Sequence, residues 1–172
     1  RIDSDISKSS HPILRADKFS IIVGTQMIFF LPGLKKADLV GIISIDSMLN
    51  LPDWHSGEKT FQIISKLGNL SDQVLIQTYN PENFIIQTAV KNDYQIFYNR
   101  EIEQRKELFY PPFSQLIKLT YRDKISYRAQ NQAQYLESLI KKSGLPSEYF
   151  DILGPTPAFI PKEKNKWIWQ II

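Results

Sequence analysis

The sequence predicts an α/β unit built on a parallel sheet, followed by a small α+β sandwich. Three observations carry this prediction. Short, nearly continuous apolar runs rich in β-branched residues fall at 19–23, 39–45 and 74–78, as in parallel strands covered on both faces. Between the second and third, Phe61, Ile64 and Leu67 recur at helical spacing within 57–67, completing the strand–helix–strand unit of such a sheet. At Tyr110-Pro111-Pro112-Phe113 two consecutive prolines fix φ, remove two backbone donors and push the residue before each out of the helical region. No regular element runs through them, and the pattern beyond them changes to half-exposed strands.

Polar residues cluster where the parallel strands end: Gly24-Thr25-Gln26 after the first, Asp46 after the second, and Thr78 to Asn80 after the third. Ligands bind outside the carboxyl ends of such strands. Asn80-Pro81-Glu82 combines a capping side chain, a proline for the first helical position and a first-turn acid, so a short helix is expected from there to about Val90. Asp93 can cap a second helix, with Tyr94, Phe97, Tyr98 and Ile102 as its apolar stripe and Glu101 and Arg105 at i,i+4 on its polar side. That helix is expected to stop at Tyr110-Pro111. Further on, Ile117, Leu119 and Tyr121 alternate with Lys118, Thr120 and Arg122, which predicts a strand with one face on a core. Residues 126–142 read as an amphipathic helix with Ala129, Ala133, Leu136 and Ile140 inward, Lys141 and Lys142 in its last turn and Gly144 just beyond. Strands are expected at 149–153 and 166–172, with Gly154-Pro155-Thr156-Pro157 as a break after the first. The sequence contains no internal repeat or low-complexity segment.

At 172 residues, 42% hydrophobic and 23% charged, the chain has the composition of a soluble globular protein. It has no cysteine, so a disulfide framework and a thiolate metal site are both excluded, and a reducing compartment is the default. The two histidines, His11 and His55, lie far apart and read as surface or packing residues, so no metal is expected. The longest apolar run, Met27 to Leu31, is far short of the ~20 residues of a membrane span. A start at Arg1 with no signal peptide is expected of a chain that begins inside a longer product. Residues 1–95 carry nine Lys/Arg against ten Asp/Glu, and residues 96–172 twelve against eight. The second half is therefore the expected partner of a polyanion.

Lys162, Lys164 and Lys166 fall on alternate residues beside Trp167 and Trp169. Cations interleaved with aromatics suit single-stranded nucleic acid, because phosphates meet the lysines and bases stack on rings. The same residues fit a solvated edge with two core tryptophans, and the sequence leaves both readings open. Arg122, Lys118 and Lys124 would extend the patch. Asp46 and Asp53 have no partner acid nearby and read as capping and loop carboxylates, and Trp54 and Phe61 read as core. Gly24-Thr25-Gln26 on spacing alone is an ordinary strand-to-helix turn. No catalytic residue is assigned.

Seven strings in order carry a resemblance: Gly24-Thr25-Gln26-Met27-Ile28, Leu49-Asn50-Leu51-Pro52-Asp53, Glu58-Lys59-Thr60-Phe61-Gln62, Ile76-Gln77-Thr78-Tyr79-Asn80-Pro81, Tyr110-Pro111-Pro112-Phe113, Leu153-Gly154-Pro155 and Trp167-Ile168-Trp169-Gln170. With them nearly the whole chain resembles the C-terminal part of the primosomal protein N′ (PriA) family of bacterial replication-restart helicases. The resemblance implies a superfamily 2 enzyme that uses ATP to move 3′ to 5′ on DNA, recognises abandoned forks and works with single-stranded-DNA-binding protein and primosome proteins in the cytoplasm. It implies that residues 1–80 are the distal part of a second RecA-like lobe, 81–113 a helical connector and 114–172 an α+β C-terminal domain truncated at its end. Gly24, Thr25 and Gln26 would be the nucleotide-facing motif. The family's ATP-Mg phosphate loop and its zinc-binding insertion belong to parts upstream of these residues, so this chain is expected to hold no cofactor by itself. The family's surface for single-stranded-DNA-binding protein draws partly on residues beyond the tryptophan strand, so it is assigned to no residue here.

Two departures stand out. Where the family continues its first string with a small residue, a lysine and a glycine, this chain has Phe29-Phe30-Leu31. Where the family has a glutamine followed by a Gly-Arg repeat whose arginines reach the ATP γ-phosphate, this chain has Lys66-Leu67-Gly68-Asn69-Leu70-Ser71-Asp72-Gln73, and no arginine occurs between Arg15 and Arg100. An arginine finger contributes roughly 10³ to 10⁵ in rate in phosphoryl transfer, and a lysine lacks its planar fork. The segment before Phe19 is also shorter than the family's. The leading expectation is a DNA-binding C-terminal part with degenerate ATPase and helicase motifs. The alternatives are part of a working 3′ to 5′ helicase and a docking module for primosome partners.

Overall fold

The computed structural model describes residues 20–30, 34–144 and 150–172. It has two compact units, Arg1–Glu103 and Gln104–Ile172. The architecture is α/β, with a parallel sheet in the first unit and an antiparallel sheet in the second.

In the first unit β1 (Val40–Ile42) pairs in parallel with β2 (Val74–Ile76), Val40 opposite Val74 and Ile42 opposite Ile76. The crossover between them contains α1 (Asp46–Leu49) and α2 (Ser56–Gly68). α3 (Phe84–Val90) and α4 (Tyr94–Glu107) follow. Ile42, Ile45, Phe61, Ile64, Ile86, Ala89 and Phe97 form one buried cluster, in which the Phe61 and Phe97 rings stack at 4.3 Å. The helical spacing of Phe61 and Ile64 thus packs α2 onto β1, α3 and α4.

Three expectations for this unit are corrected. The strand at 19–23 is absent: Phe19 lies outside the described residues, Ser20 to Val23 form no regular element, and Gln26–Phe30 is a 3-10 turn. An apolar run becomes a strand only where a neighbour takes its backbone bonds, and Ile21 and Val23 are exposed. The two strands that do form are not covered on both faces, since Leu39, Ile43 and Leu75 are exposed beside the buried Ile42. The alternation of side chains puts one face of a two-stranded sheet on the helices and leaves the other bare. The helix expected from Asn80-Pro81 starts at Phe84 instead, because Asn83 is its cap: the backbone there is extended and its side chain accepts the Ile85 N–H at 2.9 Å. Asn80 closes the preceding turn by accepting the Asn83 N–H at 3.1 Å. Asp93 does cap α4, accepting the Ile96 N–H at 3.1 Å.

After α4, Phe109 takes a positive φ of 52° and the Tyr110 N–H turns back to the Arg105 carbonyl at 2.8 Å. The double proline follows with a cis bond between Pro111 and Pro112. In the second unit β3 (Leu119–Asp123), α5 (Ser126–Lys142), β4 (Thr156–Glu163) and β5 (Lys166–Ile171) form a three-stranded antiparallel sheet in the order β3-β5-β4 with one helix. α5 packs on β5 and β3 and buries Ala129 and Ala133. It ends in Gly144, whose positive φ of 74° is the left-handed position that follows many helices. β5 is the central strand, and its Ile168 and Ile171, on opposite faces by parity, are both buried.

Here too the structure corrects the sequence. The expected inner face of β3 is largely open, with Ile117 at 67% exposure and Leu119 and Tyr121 at 37% each. The strand expected at 149–153 is not one: Tyr149 lies outside the described residues, and of the others only Leu153 pairs, exchanging both backbone bonds with Ile172 at 2.8 and 2.9 Å. Thr156-Pro157, expected as a break, instead begins β4, an edge strand on which prolines are tolerated. Gly154 is required at this turn, with φ at +109° and a Cβ there 2.8 Å from the Gln170 carbonyl oxygen.

Candidate nucleic-acid interface

The basic aromatic stretch is a hairpin. Glu163 lies opposite Lys166 and Lys162 opposite Trp167, which leaves Lys164 and Asn165 as a two-residue loop. Both loop residues have positive φ, 46° and 61°, the geometry whose twist matches that of the flanking strands. Lys162 therefore stands on β4, Lys164 at the tip and Lys166 on β5. Their alternate spacing in sequence is interrupted by a reversal of the chain.

The register sorts these residues between the two sheet faces. Lys162, Trp167 and Asp123 are lateral neighbours on one face, as are Trp169, Tyr121 and Pro157. Arg122, Ile168, Lys166 and Glu163 belong to the other. The Lys162 ammonium lies 5.3 Å from the centre of the Trp167 ring, within the range of a cation–π contact. Arg122 Nη2 approaches Glu163 Oε2 at 3.9 Å, both side chains being about half exposed. Such a pair contributes only ~0–1 kcal/mol and does not remove the arginine from solvent. The lysines are all exposed, whereas Trp167 and Trp169 are half-buried. The hairpin thus concentrates cations at one end of the sheet, and its tryptophans have rings partly committed to packing. Lys118 and Lys124 flank β3 and are also exposed.

In the first unit, Gly24, Thr25 and Gln26 are exposed; Gln26 begins the 3-10 turn, at whose start the Thr25 carbonyl accepts the Ile28 N–H at 3.0 Å. Gln26 reaches the Met48 sulfur on α1 at 3.9 Å. The Lys66 ammonium lies 5.9 Å from the centre of the Phe29 ring. Further on, buried Ser71 bridges the Asp38 and Gln73 backbones, and Lys36 pairs with Asp72 at 3.0 Å. These are structural contacts.

Asp46 and Asp53 also make structural contacts. At the carboxyl ends of β1 and β2, Asp46 accepts the Thr78 hydroxyl at 2.7 Å and the Tyr79 N–H at 3.2 Å. Asp53 contacts the His55 ring and accepts Lys59 Nζ at 2.9 Å. Burial pushes the Asp53 carboxyl up, but the Lys59 hydrogen bond, the His55 backbone N–H and both neighbouring charges outweigh it and hold it below its ordinary value. The His55 ring also stacks on Trp54 at 4.6 Å. Among the described residues no group of His, Asp and Glu is placed to hold a metal, and no helix is long and apolar enough to cross a membrane.

Two features were missed in the sequence. β4 with its turn is one, and its signal is Lys164-Asn165 between two strand-like runs, asparagine being a residue that tolerates positive φ. The other is the Asp46–Thr78 tie, which joins residues 32 apart and has no local signal.

The second unit is a compact α+β domain that gathers basic side chains at a hairpin, attached to a parallel α/β unit. Residues 106–172 match the family model of the primosomal protein N C-terminal domain. Over its whole length the chain is similar to replication restart protein PriA: 34% identical to that of Borreliella burgdorferi, covering 100% of this chain and 27% of the relative. It is 34% identical to that of Synechocystis sp. (100% and 22%) and 31% identical to that of Bacillus subtilis (99% and 22%). The similarity is to the C-terminal portion of PriA, and the chain spans about a quarter of the length of these curated relatives.

Proposed function

We propose that this chain is the DNA-binding C-terminal part of a PriA-like protein acting in the cytoplasm in replication restart, with ATPase and helicase motifs that no longer support turnover. The observation that carries the DNA reading is the β4–β5 hairpin, which carries Lys162, Lys164 and Lys166 at one end of the sheet, with Arg122 on the neighbouring strand and only Glu163 and Asp123 as acids among the strand residues. The mechanism is electrostatic and positional: phosphates displace counterions at the lysines, and the domain holds a single strand or a fork. Single-stranded-DNA-binding protein and primosome proteins are the further partners of this reading. No cofactor is assigned to the chain, and Gly24, Thr25 and Gln26 are the remnant of a nucleotide-facing motif.

Loss of turnover is supported by the contact between Lys66 and Phe29. A cation resting on a ring that replaces flexible backbone is poorly placed to read a phosphate, and Lys66 has no guanidinium fork. ATP hydrolysis by the full-length product, with and without forked DNA, tests this. The expected result is no DNA-stimulated turnover, and stimulated turnover at rates usual for such helicases would show instead that the motifs still work.

A further inference from the structure

We propose that the side chain of this domain that contacts bases is Phe159, with Ile160 beside it, and that its ligand is a single-stranded stretch of nucleic acid. This rests on the DNA-binding reading above and adds to it the contacting residue and the mode of contact. Along β4 the register runs from Pro157 opposite Trp169 to Lys162 opposite Trp167. Four residues of β4, Ala158 to Pro161, therefore face the single residue Ile168, and the edge strand bulges away from the sheet. On that bulge Phe159 is 67% exposed and Ile160 is 63% exposed. An aromatic ring and a branched aliphatic chain on this bulge form an exposed apolar surface on the same strand as Lys162.

The tryptophans are worse candidates for stacking. Both are half-buried, and the Trp167 ring already carries the Lys162 ammonium. The exposed aromatic face on the hairpin is that of Phe159. Flat apolar contact on a hairpin that also carries cations suits a single strand, since every base offers a π face and every phosphate a negative charge. An apolar peptide would use Phe159 and Ile160 but not the cations of the hairpin, whereas an exposed strand of DNA uses both.

Three measurements on the full chain test this. Phe159→Ala should weaken binding of a short single-stranded oligonucleotide roughly 5- to 150-fold, the range expected from loss of one stacked base, while the dependence on salt keeps the parent's slope. Phe159→Leu, which keeps apolar bulk without the ring, should lose affinity similarly, and Phe159→Tyr should restore it. An oligonucleotide carrying 5-iododeoxyuridine should photo-crosslink at Phe159. Crosslinking at Trp167 or Trp169 instead, or parental affinity in both Phe159→Ala and Phe159→Leu, overturns the assignment while leaving the DNA reading in place. A parent chain that binds no oligonucleotide overturns both. Because Phe159 is exposed, unchanged thermal unfolding of the variants is expected and separates lost contact from lost fold.

Discussion

Asp53 binds to neighbours at both ends of its carboxylate, the His55 ring on one oxygen and Lys59 on the other. Its pKa is depressed in the folded chain, so the linkage has a definite sign. The stabilisation is complete above the unfolded carboxylate value, about 4, and disappears as pH falls through the lower folded value. Asp53→Asn is therefore expected to unfold at lower urea than the parent at pH 7, with the difference shrinking toward zero in strong acid. Urea midpoints across that pH range check it, and a gap that widens in acid would contradict the assignment. This site was half legible in the sequence, because Asp53, His55 and Lys59 lie within seven residues and only the loop's direction was missing. Asp46 was not legible in the same way. Its role is set by Thr78 and Tyr79, brought to it by parallel pairing of β1 with β2, and the spacing of residues does not encode that register.

Elements with a local cause were readable. α5 follows from its apolar spacing and ends at Gly144, and α4 follows from Asp93. Elements that depend on a distant partner were not. The run at 19–23 has the composition of a strand, yet its described residues have none of a strand's pairing, while β4 has two prolines and still forms because it lies at an edge with a bulge between Pro157 and Lys162. The turn leading into β4 depends on Gly154. Gly154→Ala would put a Cβ 2.8 Å from the Gln170 carbonyl oxygen at a φ of +109°, adding roughly 1–3 kcal/mol of backbone strain before the clash is counted. The expected outcome is a clear fall in the urea midpoint and faster amide exchange at Leu153 and Ile172, whose mutual hydrogen bonds this turn positions. Unchanged exchange at those two amides would show that the turn accommodates a side chain.

At the scale of the molecule, the two units differ in what they offer. Residues 1–95 are nearly neutral, and their Asp46 and Asp53 carboxylates are occupied by structural contacts. Residues 96–172 hold the excess of positive charge, and the fold collects part of it at one hairpin. The sequence showed that asymmetry and the family strings that accompany it, but not the reversal at Lys164-Asn165, which divides the lysines between two strands and the tip. The most direct measurement is the salt dependence of single-stranded oligonucleotide binding by the full chain and by its Lys162→Ala, Lys164→Ala, Lys166→Ala triple variant. Because each phosphate contact contributes about 0.7 to the logarithmic slope on a single strand, removing three should make the slope shallower by about 2 and weaken binding at low salt. A triple variant with the parent's affinity and slope would contradict the assignment of this hairpin as the DNA-binding surface.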